Sequence, residues 1–433
     1  MNFEQLNLIE PLVSALLKKG YTEPTPIQEK AIPYILEGRD IFGCAQTGTG
    51  KTAAFALPIL QKLAATKPAT DRVLIRSLIL APTRELALQI SDNFVAYGKN
   101  LRLRHTCVYG GASQGRQVDA LRKGVDTLIA TPGRLLDLMQ QGFIKLNNVE
   151  IFVLDEADRM LDMGFIPDIN RIIAKMPAKR QTLLFSATAP AEIMQIANSL
   201  LHDPVSLNLS PTSAPPSLVK QTVYYVNKEN KRSLLQHVLD NNDIEHALVF
   251  TRTKRGADKV VIELNKSGIK ADAIHGNKSQ GAREKALRGF KNRHIRILVA
   301  TDVASRGIDV DKLTHVINYE IPEQAETYVH RIGRTGRAGL SGHALSFCAS
   351  DEMAYLKDIH KLLKKNIDVV SVSPYTIDVP VASARPAQGG GGGRSYGSGG
   401  GGRSWGSGSR GGNSGGSGRA PRKRTFTSER RGR

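Results

Sequence analysis

At 433 residues with 40% hydrophobic content, the chain is long enough for two cores plus extensions rather than one small domain. A formal net charge of +20 points to polyanionic partners. Cys44, Cys107 and Cys348 lack paired spacing and read as reduced, buried thiols, not disulfides or a metal site. No apolar run reaches membrane-spanning length and no targeting segment is evident, so the expectation is a cytoplasmic protein without a membrane partner.

From the first residues, Phe3, Leu6 and Leu8 lead into an amphipathic helix over 12–17, which Lys18-Lys19-Gly20 ends. Pro24 and Pro26 then force an extended turn, after which Gln28 opens a helix. A carboxamide offers a donor and an acceptor, the complement of the N6 and N7 edge of adenine. An apolar run, Asp40–Cys44, enters the loop Ala45, Gln46, Thr47, Gly48, Thr49, Gly50, Lys51, Thr52, and a helix-forming stretch leaves it. Strand, small-residue loop and helix N-terminus together make a phosphate cradle, in which Lys51 reaches the β- and γ-phosphates and Thr52 holds Mg²⁺. The first position of that pattern is ordinarily Gly, and here it is Ala45.

Apolar runs at 77–81, 127–130, 150–154 and 181–185 alternate with helical stretches, which predicts a mostly parallel sheet covered on both faces. Each run ends in a polar cluster: Pro82–Leu86, Thr131–Arg134, Asp155–Asp158 and Ser186–Thr188. In an open parallel sheet these strand ends share one ligand-binding rim. Asp155 after its strand is suited to hold Mg²⁺ partly through water, and Glu156 to deprotonate an attacking water. A Pro/Ser-rich stretch, 209–219, reads as a linker. Beyond it, runs at 221–226, 247–250, 271–274, 296–300 and 314–318 repeat the α/β plan without a phosphate loop. His330-Arg331-Ile332-Gly333-Arg334-Thr335-Gly336-Arg337 then concentrates arginines suited to bidentate phosphate contact.

Taken in order, these motifs resemble those of the DEAD-box RNA helicases over about residues 1–370, and Ala45 is what that family commonly carries. The resemblance implies an α/β fold of two tandem RecA-like parallel-sheet domains, 1–208 and 220–375, joined by the linker. It implies an RNA-dependent ATPase that binds single-stranded RNA between the domains, unwinds short duplexes with little sequence specificity, and uses ATP and Mg²⁺. Lys51, Glu156, Arg334, Arg337 and His330 take catalytic roles in that reading. Tyr21 stacks on adenine, Asp309 approaches the ribose, and Phe3 is the upstream aromatic. Arg84, Gly111, Thr131, Arg134, Arg252, Arg283 and Thr301 track RNA, while Asp158, Ser186 and Thr188 couple closure to hydrolysis. A nucleotide-gated RNA clamp would use the same motifs; a DNA translocase fits the Gln28 motif less well.

Residues 376–433 form a Gly/Ser/Arg-rich tail that cannot bury enough apolar surface to fold. Beyond residue 380 it sets eleven Lys and Arg against one acid, Glu429, which is half the net charge of the chain. With Tyr396, Trp405 and Phe426 interspersed, it is suited to capture RNA over a reach on the order of 40 Å. A compact core with such a tail is most similar to the bacterial RhlE-like branch. Partners from ribosome assembly or RNA decay are implied, with the pathway, including cold adaptation, left open.

Overall fold

Two sheets of parallel strands carry the chain in a computed structural model that describes residues 2–45, 48–66, 74–209, 219–242, 244–302, 313–336, 341–370, 374–375 and 377. Gln46, Thr47, Asp309, Arg337, most of the expected linker and nearly all of the expected tail lie outside the described residues.

The first lobe opens with α1 (Glu10–Lys18) and α2 (Pro26–Leu36), followed by β1 (Ile41–Cys44) and α3 (Lys51–Ala65). Then come β2 (Ser77–Leu80), α4 (Arg84–Tyr97), β3 (His105–Val108), α5 (Gln114–Arg122), β4 (Thr127–Ala130) and α6 (Pro132–Gln140). It closes with β5 (Ile151–Leu154), α7 (Ala157–Asp162), α8 (Ile166–Ile173), β6 (Gln181–Ser186), α9 (Ala191–Leu200) and β7 (Val205–Asn208). The strand order is β3-β4-β2-β5-β6-β1-β7. Its central strands are buried on both faces, as helix-covered parallel strands must be. Alternate residues feed opposite cores: Ile41, Ile79 and Val153 one, and Phe42, Leu80 and Leu154 the other. Phe3 is buried in the first of these cores, so burial within the lobe accounts for the upstream aromatic.

The second lobe runs through β8 (Val219–Tyr225), α10 (Lys231–Asn241), β9 (Ala247–Thr251), α11 (Lys254–Lys266), β10 (Ala271–Ile274) and α12 (Gln280–Lys291). It continues with β11 (Ile297–Thr301), β12 (His315–Asn318), α13 (Ala325–Ile332), β13 (Gly342–Cys348), α14 (Met353–Leu363) and β14 (Asp368–Val369). Its order, β10-β11-β9-β12-β13-β8-β14, repeats the first sheet strand for strand. Val219, the last residue of the expected linker, already pairs with Gly342 inside this sheet.

Each sheet has seven strands among the described residues, where apolar runs alone predicted five. β3 and β7 are short and partly exposed at the two sheet edges, and β14 has only two residues, both exposed. None of these three presents the apolar run that marks a central strand. The fourth strand beyond the predicted runs, β13, is central and mostly buried, but Gly342, His343 and Ser346 interrupt its apolar residues.

Candidate functional site

The carboxyl ends of β1, β2, β4, β5 and β6 form one rim of the first lobe, and the polar clusters hang from them. At β1 the chain turns through Gly48 and Gly50, with φ of 87° and 92°, a region that favours glycine. A Cβ on Gly50 would sit 2.3 Å from Gln28 Nε2, so this position also needs glycine for space. Gln28 is buried; its Nε2 donates to Gly50 O at 3.1 Å and its Oε1 accepts from Thr25 N at 3.0 Å. The carboxamide therefore braces the loop, and one N–H is left over for a base edge. Tyr21 is 42% exposed, and its side chain is hydrogen-bonded to Tyr97.

Lys51, the first residue of α3, is buried and donates from Nζ to Ala45 O at 2.7 Å. Thr52 beside it is half-buried. Asp155 lies at the end of β5, fully buried, with Oδ1 lacking any hydrogen-bond partner among the described residues. Burial pushes its carboxyl up to about 7; Glu156 adds to the rise and Lys51 opposes it. An orphaned carboxylate oxygen at a rim with a lysine and a threonine fits a divalent cation. Glu156 takes the left-handed conformation, φ 56°, as the N-cap of α7, and its Oε2 accepts from Arg159 Nη1 at 2.6 Å in a fully buried pair.

Asp158 is the hub of the next cluster. Its Oδ2 accepts from Ala187 N, Thr188 N and Thr188 Oγ1 at 3.0–3.1 Å, and its Oδ1 from Arg159 N. The Ser186 hydroxyl is buried without a hydrogen-bond partner among the described residues, so the structure joins Asp158 to Thr188 and leaves Ser186 out.

On the other half of the rim, Arg84 crosses Gly111. A Cβ there would lie 2.3 Å from Arg84 Nη1, and Gly111 has φ 79°. Arg134 is held by Gln114 Oε1 at 3.1 Å and by Asp137 at 3.5 Å. Thr131 is buried, its amide bonded to Val108 O at 3.1 Å. The second lobe reaches this rim through α12. Arg283 pairs with Glu85 at 2.9 Å, Arg84 Nη1 donates to Gln280 Oε1 at 3.4 Å, and Tyr109 hydrogen-bonds Glu284. Burial lowers the pKa of Arg84, and Arg283 and Arg134 lower it further. Three guanidinium groups from separate motifs thus crowd one place, an arrangement that an anion relieves.

In the second lobe, Arg252 is caged by acids: its amide donates to Glu320 at 2.7 Å and its guanidinium meets Glu352 at 3.1 Å. Its expected contact with RNA therefore competes with internal ion pairs. Thr301 ends β11, buried and in register with Thr251. His330 lies in the last turn of α13, and Arg334 is buried in the turn that follows. Arg331 differs from both: it clamps Asp302 at 2.5 and 2.8 Å, Asn318 at 3.2 Å and Glu320 O at 2.7 Å, and its guanidinium lies over the Phe250 ring.

Residues 25–196 match the DEAD/DEAH box helicase family and residues 230–339 the helicase conserved C-terminal domain. The ATP-dependent RNA helicase CshA of Listeria monocytogenes is 45% identical over 365 residues, covering 84% of this chain and 69% of that protein. The chain belongs to the DEAD-box helicases. The DEAD-box ATP-dependent RNA helicase CshA of Bacillus subtilis is 43% identical across 85% of this chain and 74% of its own length. Among solved structures, S. cerevisiae Dbp5 bound to RNA and ADP BeF3 superposes with a TM-score of 0.76 at 29% identity, over 85% of this chain and 95% of that one. The two sheets are the two RecA-like domains of this helicase architecture.

Several residues at the DEAD-box rim escaped the motif reading. Glu85 and Gln280 bridge the lobes, Arg159 holds Glu156, Gln114 holds Arg134, and Arg331 braces the arginine motif. Their signals were present as charged or amide residues adjoining the named ones, but apart from Arg159, which pairs with Glu156 three residues away, their partners lie elsewhere in the chain.

Proposed function

We propose that the chain is an ATP-dependent RNA helicase that grips single-stranded RNA across its two lobes, locally opens short duplexes, remodels RNA or RNA–protein complexes, and is reset by ATP hydrolysis. The observation that carries this reading is the crowd of Arg84, Arg134 and Arg283, contributed by both lobes at one rim. Glu85 already pairs with Arg283 across the lobes, and a phosphate backbone offsets the positive charge that remains on Arg84 and Arg134, so RNA favours the closed form.

In this reading the loop 45–52 cradles the phosphates, Lys51 leaves Ala45 O for a phosphate oxygen, and Gln28 spends its remaining N–H on adenine beside the ring of Tyr21. Thr52 and Asp155 hold Mg²⁺, partly through water; when bound it neutralises charge developing on the phosphoryl oxygens. Arg159 fixes Oε2 of Glu156, leaving Oε1 to take the proton of the attacking water. Arg334 and Arg337 stabilise the transferring group, Asp309 meets the ribose, and His330 relays closure through Asp158 and Thr188. Arg84, Gly111, Thr131, Arg134, Arg252, Arg283 and Thr301 follow the RNA backbone, contacts that carry little sequence information.

Residues 1–208 and 220–375 serve as the two motor lobes, and 376–433 as an RNA-tethering tail. The basic Gly-rich tail after a compact core favours the RhlE-like branch, acting in the cytoplasm with ribosome-assembly or RNA-decay partners. Glu156→Gln tests the assignment: nucleotide affinity stays within about threefold while RNA-stimulated turnover falls at least about 100-fold. Retained turnover refutes the role of Glu156. Strong ATPase in the wild type without displacement of a short RNA duplex would instead identify a clamp.

A further inference from the structure

Between Lys278 and Arg296 the sequence carries seven Lys and Arg against a single acid, Glu284. Four of the seven are satisfied within the lobes. Lys278 meets Asp258 at 3.1 Å, Arg283 meets Glu85 at 2.9 Å and Arg293 meets Glu245 at 3.3 Å. Arg296 donates to Ile244 O and Leu239 O at 2.9 and 2.6 Å. Lys285, Arg288 and Lys291 have no ion-pair partner among the described residues, and all three are exposed.

Lys285 and Arg288 line a groove of about 520 Å³ along α12, next to the sheet-edge strand β10. Gly281 and Gly289 keep its wall free of side chains, and His294 lies at its far end. The nearby acids are both hydrogen-bonded. Glu284 accepts from Gln280 Nε2 at 3.0 Å, and Asp272 accepts from the amide of Ala273 at 2.7 Å. Hydrogen bonds from neutral donors leave both carboxylates charged. The positive face is therefore supplied by the exposed Lys285, Arg288 and Lys291 on the outer side of α12, and not by the groove lining as a whole.

Its position gives that charge a direction. Gln280 and Arg283 on the first turn of α12 make the contacts to Arg84 and Glu85 at the rim. Gly281, Lys285, Arg288 and Asn292 recur at helical spacing on another face of the same helix, about 140° around the axis, over about 16 Å. Both faces belong to one helix, so the groove lies within that helix's length of the interlobe contacts.

We propose that the outer face of α12 is a second RNA-backbone site, which takes the flank of a strand already held between the lobes through Lys285 and Arg288. It rests on the RNA reading above and extends it: the interlobe rim grips a short segment, and the groove adds affinity only for RNA that overhangs it at one end. Phosphates are the ligand, since Lys285 and Arg288 offer cationic groups and the lining holds no Phe, Tyr or Trp ring on which a base could stack.

The test measures affinity of the full-length protein, with a non-hydrolysable ATP analogue, for a short RNA that fills only the interlobe site and for the same RNA extended at its 5′ or its 3′ end. Lys285→Glu/Arg288→Glu should leave the short RNA within about twofold and weaken the RNA extended at one end about fivefold or more. It should also make the salt dependence shallower by about 1.4 in the log–log slope, the value for two phosphates on a single strand. Lys285→Gln/Arg288→Gln, which keeps the shape, should fall between. Lys357→Glu/Lys361→Glu, the same charge change on exposed positions of α14, is the control for net charge alone.

A loss no larger than that control, or an equal loss on short and extended RNA, overturns the proposal. So does undiminished RNA binding by a folded double variant that has lost an acidic protein partner. Failure of the wild type to bind the short RNA would instead count against the helicase reading itself.

Discussion

Two lysines at matching places show how differently the lobes use one plan. β1 and β8 hold the same position in their sheets, and the first helix after each begins with a buried lysine, Lys51 on α3 and Lys231 on α10. Lys51 follows a glycine in the left-handed region and, among the described residues, donates to its own loop, at Ala45 O. Lys231 follows Asn230 in the right-handed helical region and is saturated. Its Nζ donates to Tyr319 O at 2.9 Å, Phe347 O at 3.0 Å and the Glu352 carboxylate at 2.5 Å. The second lobe has placed an internal acid where the first keeps room for an external anion. The acids repeat the contrast: Asp155 carries an orphan oxygen, whereas Glu352 also accepts from Ile321 N, Ala349 N and Arg252. One lobe is left incomplete for a ligand, and the other is completed by its own side chains.

The comparison breaks most sharply if the two lysines are exchanged in role. Lys51→Ala should lower ATPase at least about 100-fold, while denaturant stability stays within about 1 kcal/mol. Lys231→Met should do the converse. By stranding Glu352 it should cost about 3–5 kcal/mol of stability, and Lys231→Met/Glu352→Gln should recover part of that. Equal stability losses for Lys51→Ala and Lys231→Met in urea unfolding would erase the distinction.

The rim gives a smaller effect. Gly111→Ala must push Arg84 aside and strain a backbone at φ 79°, so RNA affinity should fall about tenfold with nucleotide affinity unchanged. Parallel titrations with RNA and a fluorescent nucleotide read both. Across the lobes, Glu85→Gln and Arg283→Gln should each weaken RNA-stimulated ATPase, with a coupling of about 1–2 kcal/mol in a double-mutant cycle. Strict additivity would make the pair incidental.

The smallest effect is confined to the second lobe. Burial, with His343 beside it, holds His315 well below its ordinary value, at about 4. The folded chain then binds fewer protons than the unfolded one between about pH 4 and 6.5, so stability falls as the pH drops through that window. His315→Gln should flatten the slope in thermal unfolding followed against pH, and an unchanged slope would assign it to other groups.

Motifs contiguous in the chain were legible because their chemistry is local. The phosphate loop needs neighbours in sequence, and so does Asp155-Glu156 at a strand end. The loop at 45–52 could be read as a cradle without knowing what surrounds it. The alternation of apolar runs likewise gave two parallel α/β lobes, because a strand buried on both faces must be apolar throughout. The edge strands β3, β7 and β14 escaped that logic, and so did the central strand β13, where His343 and Ser346 interrupt the run. β3, His-Thr-Cys-Val, pairs on one side only and has little apolar periodicity to display.

Sequence by itself determined which chemical groups this protein carries and which of them adjoin along the chain: Lys51 with its glycines, Asp155 with Glu156, three arginines within eight residues. Tertiary structure alone decided which groups are spent and which are free. Arg331 is consumed by Asp302, Arg252 is caged by Glu320 and Glu352, and Lys231 is neutralised by Glu352. Arg84, by contrast, is laid over Gly111 within reach of Arg283 and Arg134. The reason is that a charge acquires its role from partners a few ångströms away, and the order of strands in a sheet, not the order of residues in the chain, sets who those partners are.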